Sequence, residues 1–271
     1  MSGGLEDIDP TQTTRASQTP AERPEPIIKV EGLNKRFGSN YVLQGIDLDF
    51  PKGTTTVILG GSGSGKSVLM KHLIGLMHPD EGRVLVEDED ISHLDAKGLT
   101  GLRAKFGMVF QWAALFDSMN VLENVAFPLR EHRKDLSEDQ IREKVAEKLA
   151  LFGLKGIEEK SPADLSGGMR KRVGLARAII MDPKIVLYDE PTTGLDPITT
   201  DYVDEMIKQA KRSLGVTSVV ISHDIASAFN VADYIAFLYE GNIVAYGPPE
   251  VVKESKHEFV ERFLGTWFRK N

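Results

Sequence analysis

The run Gly60-Gly61-Ser62-Gly63-Ser64-Gly65-Lys66-Ser67 carries the side chains needed to hold a phosphate group. It fits the spacing G-x-x-x-x-G-K-[ST]. Glycines let successive main-chain N–H groups turn inward on an anion, along a path that side chains would block. The Lys66 ammonium can lie against the β- and γ-phosphates of a nucleotide, and the Ser67 hydroxyl can ligate Mg²⁺. A second group ends the apolar run Ile185-Val186-Leu187-Tyr188 with two carboxylates, Asp189 and Glu190. Asp189 can complete the Mg²⁺ shell that Ser67 begins, and Glu190 can polarise a water for attack on the γ-phosphate. Two acids at a strand end are often no more than solvation, but a phosphate loop upstream gives them a task.

A third group is Leu165-Ser166-Gly167-Gly168-Met169, which opens a helix with bare N–H groups and a hydroxyl. One nucleotide needs one cradle. A second cradle in the same chain therefore points to closure on a nucleotide held by another copy. Gln111 and His223 each follow an apolar run. Alone, each would read as structural, and only their order beside the other groups singles them out. His72, His78, His93, His132 and His257 read as structural, and no two of them have metal-site spacing.

These residues need elements to hold them. The β-branched run 54–59 before the loop reads as a buried strand, and residues 68–76 after it have helical periodicity. The loop then lies at a helix N-terminus, where the dipole favours an anion. Residues 27–31, 41–43 and 46–50 read as strands, the last alternating apolar with acidic residues. Pro79-Asp80-Glu81-Gly82 is a turn into a strand at 83–86. Residues 106–110 form another core strand, ending at Gln111. From about 112 to 176 the pattern is helical, with Ser137 as N-cap and Gln140 three residues on. Strand 184–189, helix 201–214, strand 218–221, helix 225–232 and a hairpin over 234–246 follow. Alternating strands and helices imply a mostly parallel sheet wrapped on both faces. The domain reading is a disordered tail over 1–26, rich in Thr, Ser, Pro, Glu and Gln, a nucleotide-binding α/β domain over 27–250 and an amphipathic extension over 251–271. In that extension Phe259, Phe263, Leu264, Trp267 and Phe268 share a helical face, suited to packing on its own domain or on a partner.

With 271 residues, 27% charged and 41% hydrophobic, the chain can build a sizeable core. Its net charge of −7 argues against a general nucleic-acid binder. No apolar run reaches the ~20 residues needed to cross a bilayer. With no cysteine there are neither disulfides nor thiolate metal sites. Any tie to a membrane must come through a partner.

The motifs together resemble the ABC (ATP-binding cassette) ATPases: LSGGM before the apolar strand, then Asp189-Glu190-Pro191-Thr192-Thr193-Gly194-Leu195-Asp196. The resemblance covers about residues 27–250. It implies a P-loop NTPase core with an antiparallel β subdomain and a helical subdomain, working as a head-to-tail homodimer that hydrolyses ATP with Mg²⁺. It further implies that Phe37 stacks on adenine and that Gly60, Gly61, Ser62, Gly63, Ser64, Gly65, Lys66, Ser67 and Val68 hold the phosphates. Ser67, Gln111 and Asp189 would ligate Mg²⁺, with Gln111 also sensing the γ-phosphate. Glu190 would be the catalytic base, and His223 would hold the γ-phosphate and orient Glu190. Ser166, Gly167 and Gly168 would contact the ATP of the opposite subunit, with Asp196 in the adjoining loop. Gly61 and Val68 depart from the family's common proline and threonine without removing a needed donor.

Met169 stands where the family usually has glutamine. With Arg170-Lys171-Arg172, "ALFDSMNV" and "NVAFPLREH", it resembles the ATPases of Mla and Mce-type phospholipid transporters. That implies an integral membrane permease docked on residues 112–119, an MCE-domain lipid-binding subunit, a small regulatory subunit and a place on the cytoplasmic face of the inner membrane. A different cargo, or a soluble ATPase of the iron–sulfur assembly type, is the competing expectation.

Overall fold

A computed structural model describes residues 24–111 and 113–268. Most of the expected N-terminal tail, Trp112, and the side chains of Trp267 and Phe268 lie outside the described residues. The chain runs β1 (Pro26–Phe37), β2 (Asn40–Pro51), β3 (Thr55–Leu59), α1 (Lys66–Leu73), β4 (Glu81–Val86), β5 (Glu89–Asp90), α2 (Ala96–Arg103) and β6 (Phe106–Val109). Three helices follow, α3 (Val121–His132), α4 (Glu138–Leu151) and α5 (Gly167–Ile179). Then come β7 (Ile185–Asp189), α6 (Pro197–Leu214), β8 (Thr217–Ser222), α7 (Ile225–Val231), β9 (Tyr234–Tyr239), β10 (Asn242–Gly247), α8 (Pro249–Lys253) and α9 (Glu258–Phe268).

Two sheets result. One is antiparallel, in the order β2-β1-β4-β5. The other has the order β10-β9-β3-β8-β7-β6, parallel except for its β10 edge. The period-2 geometry of its strands sends alternate side chains into two cores. Val57, Leu59, Val186 and Tyr188 pack with the helices α3 to α7 and α9. Ile58, Ile185 and Leu187 pack with α1, α2 and the antiparallel sheet. The aromatic extension closes on its own domain, with the Phe259 ring stacked 4.0 Å from Tyr239 and Phe263 5.5 Å from Phe237.

Local sequence accounts for most of the boundaries. Ser137 and Gln140 form the reciprocal cap expected at the start of α4. The runs 41–43 and 46–50 are one strand, interrupted by a register shift against β1 near Gly45, whose φ is 63°. The expected helix from 112 begins only at Val121, because Ala113 and Ala114 take left-handed conformations and Asn120 caps α3. Helix α6 starts at Pro197, before the expected 201, since Asp196 accepts from the Thr199 N–H and Pro197 needs no donor there.

Buried His72 on α1 donates Nδ1–H to the Val68 carbonyl at 2.8 Å. Burial holds its pKa below the ordinary 6.5. The folded chain keeps this imidazole neutral while the unfolded chain takes up a proton, so stability falls as pH drops from 6.5 toward the lowered value. The expected loss approaches about 1.4 kcal/mol per pH unit in that window. Thermal melts of wild type and His72→Gln should diverge in pH dependence below 6.5, and coincident slopes would exclude this proton uptake.

Candidate functional site

Strand order and register bring the chemistry-bearing residues together. Across β3, β8, β7 and β6, Leu59 pairs with Ser222, Ile221 with Asp189, and Tyr188 with Val109. The segments that leave these carboxyl ends are the Gly60 loop, His223, Glu190 and Gln111, so all four emerge at one level, where open α/β sheets hold ligands. They line a cleft of about 560 Å³ made by residues 62–68, Gln111, Glu190, His223, Val42 and Thr193.

The loop's shape depends on glycine at two places. Gly65 has φ 105°, and a Cβ there would come within 2.9 Å of Leu43 Cδ2. Gly60 passes so close to β9 that a Cβ would reach the Leu238 carbonyl oxygen at 2.3 Å. No side chain caps α1, whereas Asp95, Asn120, Ser137, Ser166, Asp196 and Asp224 cap α2 to α7. The first N–H groups of α1 therefore face the cleft without a protein acceptor from a capping side chain.

Lys66 is buried and donates to the carbonyls of Gly60 and Gly61, both at 2.9 Å. Burial pushes its pKa down, against the upward pull of Glu190 and Asp189. Asp189 is pushed up by burial and by the charge of Glu190, with Lys66 opposing. The three groups thus form one coupled electrostatic unit. Glu190 is held in a left-handed backbone conformation, φ 49°, with its N–H on the Ile221 carbonyl at 2.9 Å. Such strain at a non-glycine residue is characteristic of functional positions. Its Oε2 receives the Thr193 hydroxyl at 2.8 Å and lies 2.7 Å from His223 Nδ1.

Several expected residues stand elsewhere. Phe37 is 49% exposed at the end of β1, with Lys35 Nζ 5.9 Å from its ring centre, outside the cleft lining. Ser166, Gly167 and Gly168 also lie outside that lining, at the N-terminus of α5. There the Ser166 hydroxyl accepts from the Met169 N–H, and Gly168 faces Thr199 on α6. Asp196 is spent on capping α6.

Sequence reading missed Thr193 and Val42 in the cleft. It also missed Asn124, fully buried, which accepts from the Phe116 N–H and donates to the carbonyls of Phe116, Met119 and Asn120. That one amide shapes the loop after Gln111. Asn120, the cap, could have drawn attention to it, but nothing in the local pattern shows a buried amide serving a neighbouring loop.

A family model described as "ABC transporter" matches residues 43–193. The chain is 46% identical over 237 residues to a Mycobacterium leprae protein named as the probable ribonucleotide transport ATP-binding protein mkl, covering 88% of this chain and 68% of that one. It is 38% identical over 238 residues to the Haemophilus influenzae intermembrane phospholipid transport system ATP-binding protein MlaF, covering 88% and 90%. Among solved structures, a dimeric ATP-binding cassette in a post-hydrolysis state with ADP and Pi matches with a TM-score of 0.73 at 32% identity, over 82% of this chain and 98% of that one.

Proposed function

The chain belongs to the ABC transporter ATP-binding family, and from that membership we propose that it drives phospholipid transport as a head-to-tail pair of identical subunits. The observation that carries the reading is the cleft, where strand register sets the phosphate loop, Gln111, Glu190 and His223 around one space. In this proposal ATP is the substrate. Lys66 and the N–H groups of the loop hold its phosphates, and Phe37 stacks on adenine. Glu190 takes the proton from the attacking water, while His223 and Thr193 hold its Oε2 in place.

Among the described residues no group of acids and histidines forms a self-sufficient metal cage. The Ser67 hydroxyl, Asp189 and Gln111 supply oxygen donors that suit Mg²⁺, which commonly completes its shell with phosphate and water. Bound there, the ion would offset charge on the β- and γ-phosphate oxygens. Ser166 and Gly168, away from their own chain's cleft, are assigned to the partner's nucleotide. ATP binding favours the closed pair, and hydrolysis removes that preference.

Among the described residues no helix is long and apolar enough to cross a membrane. The membrane tie is therefore assigned to a permease docked near residues 113–119, where Phe116 is 42% exposed, with an MCE-domain subunit beyond it. Lipid as cargo is supported by similarity along nearly the whole length of MlaF and by Met169 with its basic successors. The mkl relatives are more similar in identity and carry a ribonucleotide name, which supports a second cargo reading.

Detergent purification of the tagged chain from its native membrane distinguishes the two. The phospholipid reading expects a polytopic subunit with an MCE-domain protein and bound phospholipid, and Mg²⁺-dependent ATP hydrolysis. Isolation as a soluble complex with no membrane subunit would reject the transporter assignment, and turnover stimulated by ribonucleotide rather than lipid would reject the cargo.

A further inference from the structure

Two of the cations on helix α5, none of which lines the cleft, reach the loops beside it. Arg177, in its last turn, reaches the main chain beyond Gln111. Its guanidinium donates to the Ala113 carbonyl at 2.7 Å and to the Ala114 carbonyl at 2.8 Å, and lies 5.7 Å from the Phe116 ring centre. Lys171, nearer the start of α5, donates to the carbonyl of Pro191, the residue after Glu190. Burial pushes both cations below their ordinary pKa range, and among the described residues no carboxylate offsets that desolvation.

Half-buried cations whose hydrogen bonds go to carbonyls rather than carboxylates are an expensive way to hold a helix in place. Their placement gives them a use. Ala113 and Ala114 have φ of 61° and 47°, conformations that are costly for residues with a Cβ. The planar fork of an arginine can hold two neighbouring carbonyls at once, which a lysine ammonium does less well. Gly174, one turn earlier, lets Ala113 sit against the helix, since a Cβ there would approach the Ala113 Cβ to 3.1 Å. Lys171 and Arg177 lie about 9 Å apart along the axis at 1.5 Å per residue. The same helix starts with the Ser166-Gly167-Gly168 corner.

We propose that Lys171 and Arg177 are positioning residues that tie α5 to the loops of Glu190 and Gln111, so that displacement of its Ser-Gly-Gly end shifts both. The proposal rests on the ATP-hydrolysis reading for its consequence, but the two ties can be measured without turnover. In the 113–119 loop, the Ala113 N–H donates to Phe110, Phe116 to the Asn124 side chain and Met119 to Phe116. In the 190–195 loop, Glu190, Thr193 and Leu195 donate to Ile221, Glu190 and Thr192. Each set reports one tie.

Hydrogen–deuterium exchange on the full chain is the test, with ATP binding and steady-state turnover measured in parallel. Arg177→Ala should speed exchange about tenfold within 113–119 and leave 190–195 unchanged. Lys171→Ala should do the reverse. Both should lower kcat at least fivefold with nucleotide affinity kept within twofold, and Arg177→Lys should fall between wild type and alanine. Unchanged exchange in both loops, or a rise spread evenly over the whole core, overturns the proposal. Absence of ATP hydrolysis in wild type would instead overturn the functional reading, with the ties still judged on exchange.

Discussion

Glu190→Gln should bind ATP about as wild type does and turn it over about 10²–10⁴-fold more slowly, the usual contribution of a positioned general base. The amide keeps the size and the φ of 49° at this position. It can still accept the Thr193 hydroxyl and meet His223. What it loses is the basicity that would let the oxygen take a proton, together with one negative charge in the cleft. That charge now raises Asp189 and supports the Lys66 ammonium, so its removal should leave Asp189 more readily ionised beside any Mg²⁺. Uncleaved ATP should then hold the closed pair, seen as an ATP-dependent dimer in size-exclusion chromatography. Steady-state hydrolysis and equilibrium nucleotide binding give the decisive comparison. Turnover within tenfold of wild type would take the base role away from Glu190.

The second large effect separates cis from trans assembly of the site. Two copies joined in one polypeptide can carry Lys66→Ala and Ser166→Arg either on the same copy or on opposite copies. Under the head-to-tail proposal, opposite placement damages one composite site twice and leaves the other intact. Placement on the same copy damages both, so hydrolysis should be at least tenfold lower. If each site were built from a single chain, the order of the two activities would reverse. Ser166 is exposed, so arginine is accommodated there, and loss of its cap on α5 should cost only about 1 kcal/mol. Both proteins carry that cost equally, which keeps the comparison clean.

Periodicity and loop chemistry are local properties, and they carried the element map a long way. The buried strand 55–59, the glycine-rich loop and the helix after it could be read because each announces itself within about ten residues. The reciprocal cap of Ser137 and Gln140 is equally local. Where the reading failed, the cause lay outside the segment. Residues 113–120 look helical in composition, yet Arg177 and Asn124 bind their carbonyls and hold them out of a helix. The short elements β5 and α2 show no strong period: β5 is held by its pairing with β4, and α2 by the Asp95 cap and the burial of Leu102.

The chemistry of the site was written in residue types: a lysine and serine after glycines, two acids after an apolar strand, a glutamine and a histidine each closing a strand. These announce themselves because phosphate and proton transfer demand particular functional groups at short spacings. Their convergence was not written there. It follows from the order β3-β8-β7-β6 and from a register that levels Leu59, Ser222, Asp189 and Val109, which depends on contacts between segments up to about 160 residues apart. Only the folded chain shows Thr193 sharing Glu190 Oε2 with His223, and Ser166 lying outside the cleft of its own subunit. Side-chain chemistry is set residue by residue, whereas distance between remote residues is set by packing, and packing is a property of the whole chain.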